Sequence, residues 1–112
     1  MEPIKKENVS CFIKRGVANV VKVNEYFEGK VKSLVVNSSE GKKTVGVMEP
    51  GEYEFDTDTK ETMTVVSGGI SVFLAEYNEW EDFGPGSSFD VPAKSKFKLK
   101  IAEDTAYLCE YK

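Results

Sequence analysis

From residue 24 onward, turn-forming residues interrupt the chain about every ten positions: Asn37-Ser38-Ser39-Glu40-Gly41, Pro50-Gly51, Thr57-Asp58-Thr59-Lys60, Ser67-Gly68-Gly69, Gly84-Pro85-Gly86 and Pro92. A helix of ordinary length does not fit between breaks so closely spaced, whereas strands do. The intervals suit strands in composition as well. Gly29 to Val36, Lys43 to Met48, Glu52 to Asp56, Thr62 to Val66, Ile70 to Leu74, Ser88 to Val91 and Thr105 to Tyr111 each read as one strand. Glu81-Asp82-Phe83 makes a further short extended piece before Gly84. Between Lys96 and Ile101, Phe97, Leu99 and Ile101 alternate with three lysines, a strand with one apolar face and one charged face. That lysine row suits a solvated sheet face or a blunted edge strand, or else a phosphate-binding stripe. Ser67-Gly68-Gly69 is compact enough to close a hairpin. Many short strands joined by short turns make an antiparallel sandwich or barrel. Helix has room only between residues 9 and 23, and no internal repeat is present.

The chain has 112 residues, one domain's worth, and 40% of them are hydrophobic, enough for one modest core. The longest apolar runs, such as Val72-Phe73-Leu74-Ala75, are far too short to cross a bilayer as a helix. There is no histidine. Its absence removes every catalytic triad with a His base, every His-ligated metal site and any histidine pH switch. Cys11 and Cys109 are too few for a four-cysteine zinc site and suit two free thiols in a reducing compartment. Residues 1 to 23 carry Lys5, Lys6, Lys14, Arg15 and Lys22 against Glu2 and Glu7, a net of +3. The overall charge of −4 therefore leaves −7 on the remainder. An acidic body repels a phosphate backbone, so no nucleic-acid partner is expected, and no membrane partner either. No signal-peptide pattern is visible, and a cytoplasmic location is the expectation.

Two spacings carry a resemblance. Gly86 and Pro92 frame "Gly-Ser-Ser-Phe-Asp-Val-Pro", and Glu61 leads to Gly68 through "Glu-Thr-Met-Thr-Val-Val-Ser-Gly". These resemble the second and first cupin motifs. Several blocks in the same order narrow the match: "Asn-Glu-Tyr-Phe-Glu-Gly-Lys-Val-Lys-Ser" (24 to 33), "Val-Gly-Val-Met" (45 to 48), "Gly-Glu-Tyr" (51 to 53), "Met-Thr-Val-Val-Ser-Gly" (63 to 68) and "Tyr-Leu-Cys" (107 to 109). They are similar to the pyrimidine/purine nucleoside phosphorylase family of small cupins. The resemblance implies an all-β, single-domain, jelly-roll-like antiparallel barrel over residues 24–112, preceded by an N-terminal extension over residues 1–23. It also implies a pentosyltransferase: nucleoside plus phosphate gives free base and ribose 1-phosphate, with wide tolerance of purine and pyrimidine bases.

Metal-binding cupins place histidines at slots that fall here near Phe55, Thr57 and Phe97, beside Glu61. One carboxylate does not hold a transition metal tightly, so no metal and no other cofactor is expected. Glu61 and Tyr53 are the candidate catalytic residues. An ionised carboxylate inside a barrel is costly unless it is paired or hydrogen-bonded, so Glu61 serves the ribose hydroxyls or the developing charge on the sugar, or else a structural ion pair at the rim. Phe55 and Phe97 either stack on a base or simply fill the core. Lys30 and Lys32, with Ser33, Thr64 and an N–H nest at Ser67-Gly68-Gly69, are candidates for holding phosphate; the alternative for the lysines is a solvent-facing stripe. Tyr107 and Tyr26 offer hydroxyl contacts or packing. Cys109 reads as a small buried apolar residue.

Two other functions fit the same barrel: a non-catalytic module binding a nucleoside or sugar, and a metal-dependent enzyme, which the empty ligand slots oppose. Cupin dimers often exchange N-terminal strands, so residues 1–23 are an extra strand, a short helix or a tail, and a homodimer is the expected assembly. Deleting the segment and measuring oligomer size tests the exchange.

Overall fold

The computed structural model describes residues 21–112. Ten strands account for most of them: β1 Val23–Tyr26, β2 Val31–Ser38, β3 Gly41–Met48, β4 Gly51–Asp56, β5 Glu61–Ser67, β6 Ile70–Leu74, β7 Glu79–Phe83, β8 Ser88–Val91, β9 Lys96–Ile101 and β10 Thr105–Tyr111. They form a six-stranded sheet ordered β1-β2-β3-β10-β5-β8 and a four-stranded sheet ordered β4-β9-β6-β7, antiparallel throughout. The fold is all-β and jelly-roll-like, with two facing sheets in place of a closed hydrogen-bonded barrel.

Side-chain alternation decides what faces inward. On β9, Phe97, Leu99 and Ile101 are buried while the three lysines are exposed. β9 is an inner strand, flanked by β4 and β6, so the edge-strand alternative for the lysine row is corrected. The register sets Glu52 opposite Lys100, Glu54 opposite Lys98 and Asp56 opposite Lys96. The row is thus the basic half of an outward-facing ladder of opposite charges, an arrangement that supports a sheet modestly. Tyr53, Phe55, Ile70, Val72 and Leu74 fill the four-stranded sheet's inner face. Met48, Met63, Val65, Phe89 and Val91 meet them from the six-stranded sheet.

Two local readings change. Ser67-Gly68-Gly69 does not close a hairpin, because β5 and β6 belong to different sheets; it carries the chain across the top of the sandwich. Gly68 has φ +91°, and a Cβ there would lie 2.6 Å from the Asp104 carbonyl oxygen. Gly69 N–H donates to Thr105 Oγ1 at 3.1 Å, so one N–H of the expected anion nest already has a protein acceptor. The second change is at Gly29, expected to open a strand: residues 27–29 form a tight turn after β1, and the strand starts at Val31. Phe27 and Glu28 both sit at left-handed φ (53° and 60°), ahead of Gly29 at 91°. Non-glycine residues adopt that region at a cost of roughly 1–3 kcal/mol each. Here the turn lays the Phe27 ring over Tyr53 and Phe55, with centroids 5.0 and 5.5 Å apart.

Candidate functional site

The inner face of the six-stranded sheet grades from apolar to polar. Register aligns Asn24, Ser33, Gly46 and Tyr107 in one row, then Thr44, Cys109, Met63 and Phe89, then Tyr111, Glu61 and Val91. The inward polar side chains therefore gather towards one end of the sandwich. Gly46 makes the first row possible: a Cβ there would sit 2.6 Å from the Tyr107 ring and hydroxyl.

Glu61 is the chemical centre of this end. Its residue is 5% exposed, and Oε1 accepts a hydrogen bond from the Cys109 thiol at 3.4 Å. Burial raises its pKa above the usual carboxyl range, while the Cys109 hydrogen bond and the charge of Lys42 pull the other way. Burial, followed by the Glu61 charge, pushes the Cys109 thiol up, so it stays a protonated donor. Tyr111 pairs with Thr44 through their hydroxyls at 3.3 Å, and Lys42 Nζ stands 5.1 Å from the Tyr111 ring centroid. Burial also drives the Tyr111 phenol upward.

Deep inside, between Glu61, Phe55, Phe97, Tyr107 and Cys109, only about 10 Å³ is empty. The space lies nearer the surface. A cavity of about 420 Å³ opens over Glu61, Asn24, Thr44, Tyr111, Lys42 and Lys22. A second, about 580 Å³, is walled by Phe27, Phe55, Thr57, Glu54, Asp56 and Lys96. Tyr26 and Asp58 line both.

The expected residues divide. Glu61, Phe55 and Tyr26 come together at the cavities. Ser33 is buried just behind Asn24, whose Nδ2 donates to its Oγ at 3.4 Å. Phe97 and Tyr107 are core, packed where no ligand fits. Tyr53 lies under the Phe27 ring with its hydroxyl donated to the Glu49 carbonyl at 2.6 Å, lining neither cavity. Thr64 points out of the sheet and pairs with Ser88 at 2.8 Å. Lys30 and Lys32 do not share a strand face: β2 starts at Val31, leaving Lys30 in the turn. Lys32 lies on the outer face, with Nζ 3.5 Å from Glu25. The expectation that these two lysines share one strand face is corrected for this reason. Cys109 is buried and free; Cys11 lies outside the described residues. Sequence reasoning missed Asn24, Phe27, Lys42, Thr44, Asp58 and Tyr111. For Lys42 and Tyr111 the usable signal was parity, since each is two residues from an inward position on its strand.

At the cupin ligand slots the structure presents Phe55, Thr57, Phe97 and Glu61. The Thr57 hydroxyl donates to the Pro92 carbonyl at 2.6 Å. Among the described residues no three His, Cys, Asp or Glu side chains converge on a common point.

The sequence profile of the pyrimidine/purine nucleoside phosphorylases matches residues 21–111. The chain belongs to that family. A pyrimidine/purine nucleoside phosphorylase of Pseudomonas fluorescens is 59% identical over 91 residues, which span 81% of this chain and 97% of the relative. A crystal structure of a Vibrio parahaemolyticus protein of unknown function superposes with TM-score 0.80 at 46% identity, covering 84% of this chain and all of that one. An RmlC-like cupin from Shewanella frigidimarina shares the fold at TM-score 0.63 and 14% identity, over 81% of this chain and 82% of that one. In this phosphorylase-family chain, β1 begins at Val23, and Lys22 C=O already accepts from Val35 N–H at 3.0 Å. No helix among the described residues is long and apolar enough to cross a membrane.

Proposed function

We propose that this chain is a pentosyltransferase that splits nucleosides with inorganic phosphate, releasing free base and ribose 1-phosphate from purine and pyrimidine substrates. The observation that carries the reading is Glu61: a buried carboxyl with a raised pKa opens onto a cavity that also holds Lys42, in a family named for this reaction. The C1′–N bond breaks as a phosphate oxygen bonds to C1′. The departing base takes up the proton that the monohydrogen phosphate gives up, and Glu61, on the wall of the smaller cavity, faces the positive charge that develops on the sugar. Tyr26, Phe27 and Phe55 offer rings to the base, and stacking accepts any base because every base has a π-face. No activated protein nucleophile is needed; holding phosphate against C1′ supplies much of the rate. Neither metal nor other cofactor takes part, and the location is cytoplasmic.

The working unit is a homodimer. The outer face of the six-stranded sheet presents Val23, Leu34, Val36, Val45 and Val47, all substantially exposed. Register sets Val23 beside Leu34 and Leu34 beside Val45, a continuous apolar patch of the kind that marks an interface. Strand exchange is expected of the extension over residues 1–23, of which residues 1–20 lie outside the described residues.

Release of free base from uridine and adenosine, with and without phosphate and with and without a chelator, tests the reaction. Release that needs phosphate and ignores the chelator is expected. No release from any nucleoside would leave a binding module, and loss in chelator would make it a metalloenzyme.

A further inference from the structure

The two cavities differ in chemistry. The larger is walled by the rings of Phe27 and Phe55 with three acids, Glu54, Asp56 and Asp58, against one lysine, Lys96, a net negative charge that opposes a dianion. The smaller has Lys22 and Lys42 on its wall, with the hydroxyls of Thr44 and Tyr111 and the amide of Asn24. Its acids are Glu61 and, on the shared wall with Tyr26, Asp58. Neither lysine has an ion-pair partner among the described residues, unlike Lys32, Lys43 and Lys60. Asn24 adds an independent sign. Its side chain is buried, and Oδ1 has no hydrogen-bond partner among the described residues, although Nδ2 reaches Ser33. A buried amide left half-satisfied is costly. Turned over, Oδ1 accepts from Ser33 Oγ–H, and Nδ2 takes the unpartnered position as a donor in need of an acceptor.

We infer that the smaller cavity is the phosphate seat, held by Lys42 and Lys22 with Asn24 as a neutral donor, and that the ring-walled cavity takes the nucleobase. Tyr26 and Asp58, common to both, stand where the ribose must bridge them. Lysine acts here as a point charge, and the Thr44 and Tyr111 hydroxyls supply directional contacts. This assignment rests on the phosphorolysis reading for its substrate, but the anion seat is testable without turnover.

Inorganic phosphate is titrated into the full chain by calorimetry, with adenosine 5′-monophosphate as a second probe that carries the anion on a different atom. K42Q and K22Q are expected to weaken phosphate binding by about tenfold or more, the scale of a lost charge-assisted hydrogen bond. N24A is expected to weaken it less. K32Q and K98Q, on outer faces, are expected to bind as the parent does. In turnover, K42Q is expected to raise KM for phosphate more than KM for nucleoside. Lys42-dependent phosphate binding without base release would sustain the seat while removing the reaction. Base release with an unchanged phosphate KM in K42Q would keep the reaction and overturn the seat. Lys42-dependent binding of the monophosphate alone, with no binding of inorganic phosphate, would overturn it as well.

Discussion

Glu61 combines two properties that rarely coincide, burial and a carboxyl, and its neighbours explain how it is tolerated. The Cys109 thiol donates to it, and Lys42 lies close enough to favour its charge, yet burial dominates and the pKa rises. The sign for stability follows. The folded state holds the Glu61 proton more tightly than the unfolded chain, whose Glu titrates near 4.5. Stability is therefore full below that value and declines as pH climbs from it through the raised folded value. Glu61→Gln should flatten that decline in urea denaturation measured across the window. The same substitution should slow base release by on the order of 100-fold, because an amide brings no negative charge to the sugar. An E61Q enzyme of parental rate would exclude Glu61 from the reaction. Among the sequence candidates, Glu61 was legible through its motif. Lys42 was legible only in its parity with Thr44, which gives the side of the strand but not whether a cavity or bulk water lies there.

At the scale of elements, the strands were largely legible and their partners were not. Ile70 to Leu74, Ser88 to Val91 and Thr105 to Tyr111 have the boundaries that breakers and alternation imply, since both signals act within a few residues. The turn at residues 67–69 shows the limit. A compact glycine turn suits a hairpin, but the strands on either side pair elsewhere, with β10 and β8 on one side and β7 and β9 on the other. Phe27 and Glu28 are a second case: a left-handed pair of non-glycines is held only because ring packing on Tyr53 and Phe55 offsets its strain. The β3–β10 contact leaves no room at Gly46, where a Cβ would meet Tyr107 and the Lys32 carbonyl. Gly46→Ala should force the Tyr107 ring off its neighbour and cost about 1–3 kcal/mol of stability, the range for overpacking a filled core. Chemical denaturation measures that loss, and an unchanged midpoint would show that the ring can yield freely.

For the molecule as a whole, the two sheets have different outer faces. The four-stranded sheet shows water a ladder of carboxylates and lysines; the six-stranded sheet shows valines and a leucine. Val45→Lys, with one charge near the middle of that apolar face, should convert the proposed dimer to a monomer in light scattering while leaving far-ultraviolet circular dichroism unchanged. A V45K chain that keeps the parental mass would remove this face as the interface. The sequence by itself determined the class, through turn spacing and period-two alternation, and it excluded histidine chemistry and helical membrane spans by composition. Its motif blocks pointed to the family. Tertiary structure decided which inward side chains share one end of the sandwich. That is a matter of register between strands far apart in the chain, such as β3 with β10 and β10 with β5, and side-chain alternation carries no information about it. Lys32 and Lys42 are both exposed strand lysines in similar local sequence. Parity puts Lys32 between the inward Val31 and Ser33, on the outer face beside Glu25, and Lys42 in phase with the inward Thr44; the stacking of the sheets then sets Lys42 over Glu61.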